Sequence, residues 1–153
     1  MKNIDSFFKK ASLFLESNNF KKALKLFKKS YANGFSEAGL NIGYIYDKMG
    51  KKKKAIKWYK KLLKRQQDTN VMLNLAILYK ESYKIKKAKK YLKKALKLGD
   101  GDASLELAKI YLCEAKIKKA EKYLKLVINN SNSCDDSKEE AEKLIKRLEK
   151  ARK

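Results

Sequence analysis

Asn41-Ile-Gly-Tyr-Ile-Tyr-Asp-Lys-Met-Gly50, a run of four lysines, and then Ala55-Ile-Lys-Trp-Tyr59 read together as one helical hairpin. Ile42, Gly43 and Tyr46 share a face at helical spacing, Gly50 interrupts the chain, and Ala55 and Tyr59 resume the spacing on a second helix. The pattern recurs outward in both directions. Leu75, Ala76 and Tyr79 lead to Ala88 and Leu92; Leu107, Ala108 and Tyr111 lead to Ala120 and Leu124; Ala11 and Phe14 lead to Ala23 and Phe27. The alanines at 23, 55, 88 and 120 stand 32, 33 and 32 residues apart. A fixed period of this length marks an array of stacked supersecondary units. No single hairpin can bury its own apolar face, so neighbours must stack.

Composition agrees with helices and narrows the chemistry. The 153 residues suit one domain or one short solenoid. A hydrophobic share of 44% is enough for a core, and the absence of Pro favours uninterrupted helices. The formal charge is +23, from 40 Lys+Arg against 17 Asp+Glu. Arg65, Arg147 and Arg152 are the only arginines, so the charge is carried by lysine, a point charge and not a bidentate phosphate fork. There is no histidine, which removes the usual general base, the Ser–His and Cys–His nucleophile pairs and the commonest metal ligand. Cys113 and Cys134 are too few and too far apart in sequence for a thiolate metal site, and free thiols in a reducing compartment are expected. No apolar run is long enough to span a bilayer, and Lys9 and Lys10 stand where a signal peptide would need an apolar core, so a cytoplasmic location is expected.

Taken in order, helices are expected over residues 4–17 and 20–31, turning at Asn18-Asn19, with Asn3 or Asp5 as the first cap. Asn33-Gly34 stops the second helix, and Ser36 caps a third that runs through Tyr46. The second hairpin ends near Arg65, and Asp68 or Thr69 caps the next. That hairpin turns over residues 83–85 and ends at Leu98, where Gly99-Asp100-Gly101-Asp102 pairs a helix stop with a helix start. The fourth runs from Ala103 to about Ile128 with its turn near Ala115. A last helix opens at Asp135, Asp136 or Ser137, with Ala141, Leu144, Ile145 and Leu148 in one stripe. Its acids lie in the first turns and its bases in the last, as the helix dipole favours, which suits a solvating cap.

These residues resemble the tetratricopeptide repeat, and more closely its Sel-like relatives. Ala11, Gly43, Ala76 and Ala108 match the small register of the family's first helix, and Phe14, Tyr46, Tyr79 and Tyr111 match its aromatic register. The second-helix alanine is present four times. The Sel-like flavour lies in residues 30–38 and 95–103, where a glycine stands four residues before an alanine, and in Trp58-Tyr59. Two departures are plain: the inter-repeat proline is missing, and the period is a residue or two short. The resemblance implies an all-α, right-handed α-solenoid. Four hairpins (about residues 4–35, 36–68, 69–100 and 101–132, together filling 1–130) and a capping helix over 135–153 would form a single domain.

Helical spacing gives the array two faces. Opposite the core on every second helix stand Lys21, Lys22, Lys25, Lys28 and Lys29; Lys53, Lys54, Lys57, Lys60 and Lys61; Lys86, Lys87, Lys90, Lys93 and Lys94; and Lys118, Lys119, Lys122 and Lys125. Leu126 is the one exception in this lattice. The resemblance implies that this arc is convex and that a concave groove is lined by the first helices. Mapped onto this chain, the groove offers Phe8, Ser12, Leu40, Asn41, Tyr44, Asp47, Asn70, Leu73, Asn74, Ile77, Lys80, Leu105, Glu106 and Lys109, with Asp5 among its acids. The family's two-carboxylate clamp is matched by Asn41 alone, since Phe8, Ser12, Asn70 and Asn74 occupy its other expected positions.

Three functions are therefore in view. The first is a non-enzymatic, monomeric protein-interaction module that binds a protein or peptide segment in the groove, where Asn41 and Asn74 could hydrogen-bond an extended backbone. The second is a polyanion binder, for nucleic acid or an acidic surface, using Lys53, Lys54, Lys57, Lys60 and Lys61 with Lys86, Lys87, Lys90, Lys93 and Lys94. Against it stand the scarcity of arginine and the lack of exposed aromatics among the lysines. The third, which the Sel-like resemblance implies, is a small inhibitor or immunity-type protein for a toxin partner. No catalytic, cofactor or metal constellation is expected.

Overall fold

The computed structural model describes residues 2–152, with side chains from residue 6 onward. The expected Asn3 or Asp5 cap, and Asp5 as a groove acid, lie outside the described side chains. Among the described residues there are nine helices and no strand: α1 (Lys2–Glu16), α2 (Phe20–Ala32), α3 (Ala38–Lys48), α4 (Lys52–Arg65), α5 (Thr69–Glu81), α6 (Ile85–Lys97), α7 (Asp102–Cys113), α8 (Ile117–Asn129) and α9 (Asp135–Lys150). The chain is an all-α solenoid built from hairpins α1–α2, α3–α4, α5–α6 and α7–α8 followed by α9.

The hairpin turns carry the same period as the side chains. Asn18, Gly50, Tyr83 and Ala115 each take a left-handed conformation, with φ of 56°, 70°, 57° and 54°. They stand 32, 33 and 32 residues apart, in step with the alanines. In each turn the next amide donates back to the carbonyl of the first-helix aromatic: Asn19 to Phe14, Lys51 to Tyr46, Lys84 to Tyr79 and Lys116 to Tyr111, at 2.7–2.9 Å. This is the Schellman closure, which satisfies carbonyls that the helix end leaves open. Gly34 and Gly99, with φ of 99° and 93°, close α2 and α6 in the same way.

No left-handed residue closes α4. Gln66 is extended at φ −147° and ψ 140°, and the chain divides there into two compact units, one ending at Gln67 and one beginning at Asp68. Asp68 caps α5 as expected, its carboxylate accepting from the Val71 amide at 3.2 Å. Ser36 does not cap α3. The amides of Ala38 and Gly39 are already bonded to the carbonyls of Phe35 and Ser36, so the hydroxyl finds no orphan donor and turns to Glu37 instead.

In the first unit α2 packs on α3, and Ala11, Ala23, Phe27, Ala38, Ile42 and Ile45 form the buried centre. The close approach of α3 and α4 depends on Gly43, because a Cβ there would stand 2.2 Å from the Tyr59 ring. In the second unit α6 packs on α7 and α8 on α9. Here Leu105, Ala108, Leu124, Val127 and Ala141 are buried, with Leu144, Ile145 and Leu148 of α9 laid against them. Helix α9 stands in the register of a fifth first helix: Ser137 and Ala141 are buried 33 positions after the buried Ser104 and Ala108. Glu140 replaces Leu107 at that offset, so α9 turns a charged surface where a further second helix would need an apolar one.

Candidate protein-binding faces

The first-helix residues expected to line a groove divide into those left open and those used by the fold. In the first unit Phe8 belongs to the core. Its ring meets Phe27 edge-on at 5.3 Å and Phe35 at 4.7 Å. Ser12 donates to the Phe8 carbonyl at 3.1 Å. On α3, Leu40 and Asn41 are half-buried and Tyr44 is 39% exposed, with the Lys48 ammonium 5.2 Å above its ring. Asp47, half-buried at the end of this row, adds its charge to burial in raising the Tyr59 hydroxyl's pKa. Leu40, Asn41 and Tyr44 thus form a short open row.

In the second unit Asn70 is exposed and Leu73, Asn74 and Ile77 are half-buried along α5. The Asn74 side-chain amide donates to the Asn70 carbonyl at 2.9 Å, so one of its two N–H donors is already engaged. Leu105 is buried at 4% exposure and can serve only as floor. The charged residues are joined to one another. Lys80 on α5 pairs with Glu106 on α7, Glu106 with Lys109 at 3.2 Å, and Lys109 with Glu140 on α9 at 3.0 Å. Sequence reading placed three of these four on the groove but could not show that they bind each other.

This network has a pH signature. Burial pushes the Glu106 carboxyl up, but the hydrogen bond and charge of Lys80, with those of Lys109, outweigh it and hold the group below the usual glutamate range. A depressed folded pKa means that its contribution to stability is fully present above about pH 4.3 and is lost as pH falls through the lower folded value. Glu106→Gln should therefore cost about 0.5–1 kcal/mol near pH 7, a modest figure because the lysines are a third exposed. Denaturant unfolding should show this gap closing in acid; a gap that is constant with pH would mean the charge contributes nothing.

On the second helices every member of the lysine lattice is exposed, and Leu126 with them at 39%. The ten candidate anion-binding lysines are not equivalent, however. Lys53, Lys54, Lys57, Lys60 and Lys61 of α4 join Lys64, Tyr46, Ile56 and Trp58 around a groove of about 770 Å³. Lys86, Lys87, Lys90, Lys93 and Lys94 of α6 stand exposed along that helix. Sequence reading found the α4 lysines but not the three apolar residues beside them. The available signal was Ile56, which stands at the position occupied by Lys89 and Glu121 in later repeats.

The family model for the tetratricopeptide repeat matches residues 37–69 and 69–98. No curated protein matches the chain. Among solved structures, a tetratricopeptide repeat protein from Parabacteroides merdae aligns over 90% of this chain and 57% of its own, with 16% identity and a TM-score of 0.74. PilF from Pseudomonas aeruginosa aligns over 88% of this chain and 64% of its own, with 21% identity and a TM-score of 0.71. MamA from Desulfovibrio magneticus aligns over 86% of this chain and 77% of its own, with 15% identity and a TM-score of 0.70. The chain thus spans less than two thirds of the first and second of these proteins, and at such identities the likeness is one of fold.

Proposed function

We propose that this chain, a tetratricopeptide-repeat protein, is a non-enzymatic interaction module that holds an extended segment of another protein against its first helices. The observation that carries this reading is the open row on α3. Leu40, Asn41 and Tyr44 are left half-buried or exposed by a helix whose other face is wholly committed to Ile42, Gly43 and Ile45. An apolar residue, an amide and a tyrosine in one row suit a peptide, supplying contact area and both hydrogen-bond senses. Leu73 and Ile77 on α5 give the second unit a comparable apolar strip. Cys113 and Cys134 are exposed free thiols, which suits the reducing cytoplasm.

Capture from a native lysate, followed by mass spectrometry, tests the reading. The immobilised chain should retain a specific protein, and Asn41→Ala with Tyr44→Ala should weaken its binding at least ~tenfold, as loss of a central aromatic anchor does. The melting temperature should stay close to that of the unaltered chain, since neither side chain is buried. A partner retained equally by the double variant would remove the α3 row from the binding face.

A further inference from the structure

The groove on α4 differs from the rest of the lysine lattice in the aromatic geometry beneath it. In the second unit the tyrosine of each second helix lies flat on that of its first helix: Tyr91 on Tyr79 at 5.8 Å and 19°, and Tyr123 on Tyr111 at 5.4 Å and 13°. Trp58 occupies the same register but turns aside. Its indole N–H donates to the Gly39 carbonyl at 2.7 Å, and its ring meets Tyr31 edge-on at 5.4 Å. Tyr46 and Trp58, with Ile56, line an apolar floor, and six lysines surround it with no Asp or Glu among the lining residues.

We propose that this groove binds an acidic segment of a partner protein whose carboxylates alternate with apolar side chains. Charge complementarity selects the acids, because the rim is wholly cationic, and the floor offers Ile56, Trp58 and Tyr46 to the apolar positions. Lysine supplies movable point charges that suit single carboxylates. Nucleic acid fits less well. The Lys61 ammonium already lies 4.7 Å over the Trp58 ring, and Lys28 and Lys54 lie 5.4 and 6.0 Å over Tyr46, so a base, which needs a whole ring face, would have to displace a lysine to stack, whereas a small apolar side chain needs only part of a ring. The nearby arginine, Arg65, is bonded to the Tyr31 hydroxyl. A second copy of the chain is opposed by its own charge of +23. The fourteen residues of α4 span about 21 Å, which an extended segment of about six or seven residues covers.

Trp58 is the chain's one tryptophan, so its emission reports on the groove directly. The probe is a capped peptide of alternating glutamate and leucine, about seven residues long, titrated at about 0.15 M salt. The expected result is a saturable change in emission. Anisotropy of the labelled peptide should show Lys57→Glu with Lys61→Glu weakening binding at least ~tenfold, against less than about twofold for Lys146→Glu with Lys150→Glu, an equal charge change on α9. Equal weakening by both pairs would reduce the effect to net charge and overturn the proposal. So would equal binding of the same peptide with Gln for Glu, or no saturable change. Tighter binding of an oligothymidylate of matched length would reassign the groove to nucleic acid. Sedimentation showing self-association that Lys57→Glu with Lys61→Glu abolishes would reassign it to a second copy. The α3 double variant should leave peptide binding unchanged, so the two proposed faces fail or stand separately.

Discussion

Gly43→Ala should destabilise the first unit by about 1–3 kcal/mol, the usual cost of overpacking a closed core. The sign is opposite to that expected from helix propensity alone. In a helix interior, alanine is ordinarily favoured over glycine by about 1 kcal/mol. Here the added Cβ would meet three ring atoms of Tyr59 at 2.2–2.7 Å, and Tyr59 is 1% exposed, with little room to retreat. Gly39→Ala should be milder, because the nearest atom is the end of the Leu62 side chain, which is only half-buried. The third and fourth repeats show the compensation that Gly43 needs, while the first pairs Ala11 with Phe27, a ring without the hydroxyl. Where the small register is Ala76 or Ala108, the second-helix register holds Leu92 or Leu124 in place of Tyr59. Adding Tyr59→Leu to Gly43→Ala should therefore recover part of the loss. Denaturant unfolding of both single variants and the double variant measures this coupling, and strict additivity would show that the ring and the glycine do not constrain each other.

The second large effect lies in the hairpin turns, where two opposite substitutions at one register should move stability in opposite directions. Gly50 has φ +70° and nothing within 4 Å of a Cβ built on it. Gly50→Ala therefore meets no neighbour and isolates the backbone term, a loss of about 1–2 kcal/mol for a side chain in the left-handed region. Ala115 is exposed at φ +54° in the equivalent turn. Ala115→Gly relieves the same strain but frees the unfolded chain, so the net gain should be smaller, roughly 0.5–1 kcal/mol. Thermal melts of the two variants check the signs. A stabilised Gly50→Ala would mean that the turn relaxes out of the left-handed region.

Much of this architecture was legible without coordinates because it depends on local spacing. Apolar residues at three- and four-residue intervals define a helix face, and their return every 32–33 residues requires stacked hairpins. That reasoning located α2, α4, α6 and the α7–α8 hairpin to within a residue or two. It also narrowed the cap of α5 to Asp68 or Thr69, of which the fold uses Asp68, and found the helix stops at Gly34, Gly50 and Gly99. It placed the start of α3 one residue early and named the wrong cap, because the amides that Ser36 was expected to cap were already bonded to the Phe35 and Ser36 carbonyls.

The candidate sites were less legible, for a different reason. A helical wheel shows which residues leave the core but not what they meet afterwards. Lys80, Glu106 and Lys109 appear on the wheel as surface available to a ligand. The fold joins them to one another and to Glu140, which lies 31 residues beyond Lys109. The α4 and α6 lysines look alike on the wheel, and the wheel does not show that α4's line a groove beside Trp58, because the rotation of one indole toward the Gly39 carbonyl is a tertiary event. Period, helix placement and turn chemistry were thus determined by the sequence, since each is settled within a few residues of chain. Which polar groups remain free for a partner was decided only by the tertiary structure, because that depends on side chains brought together from distant repeats.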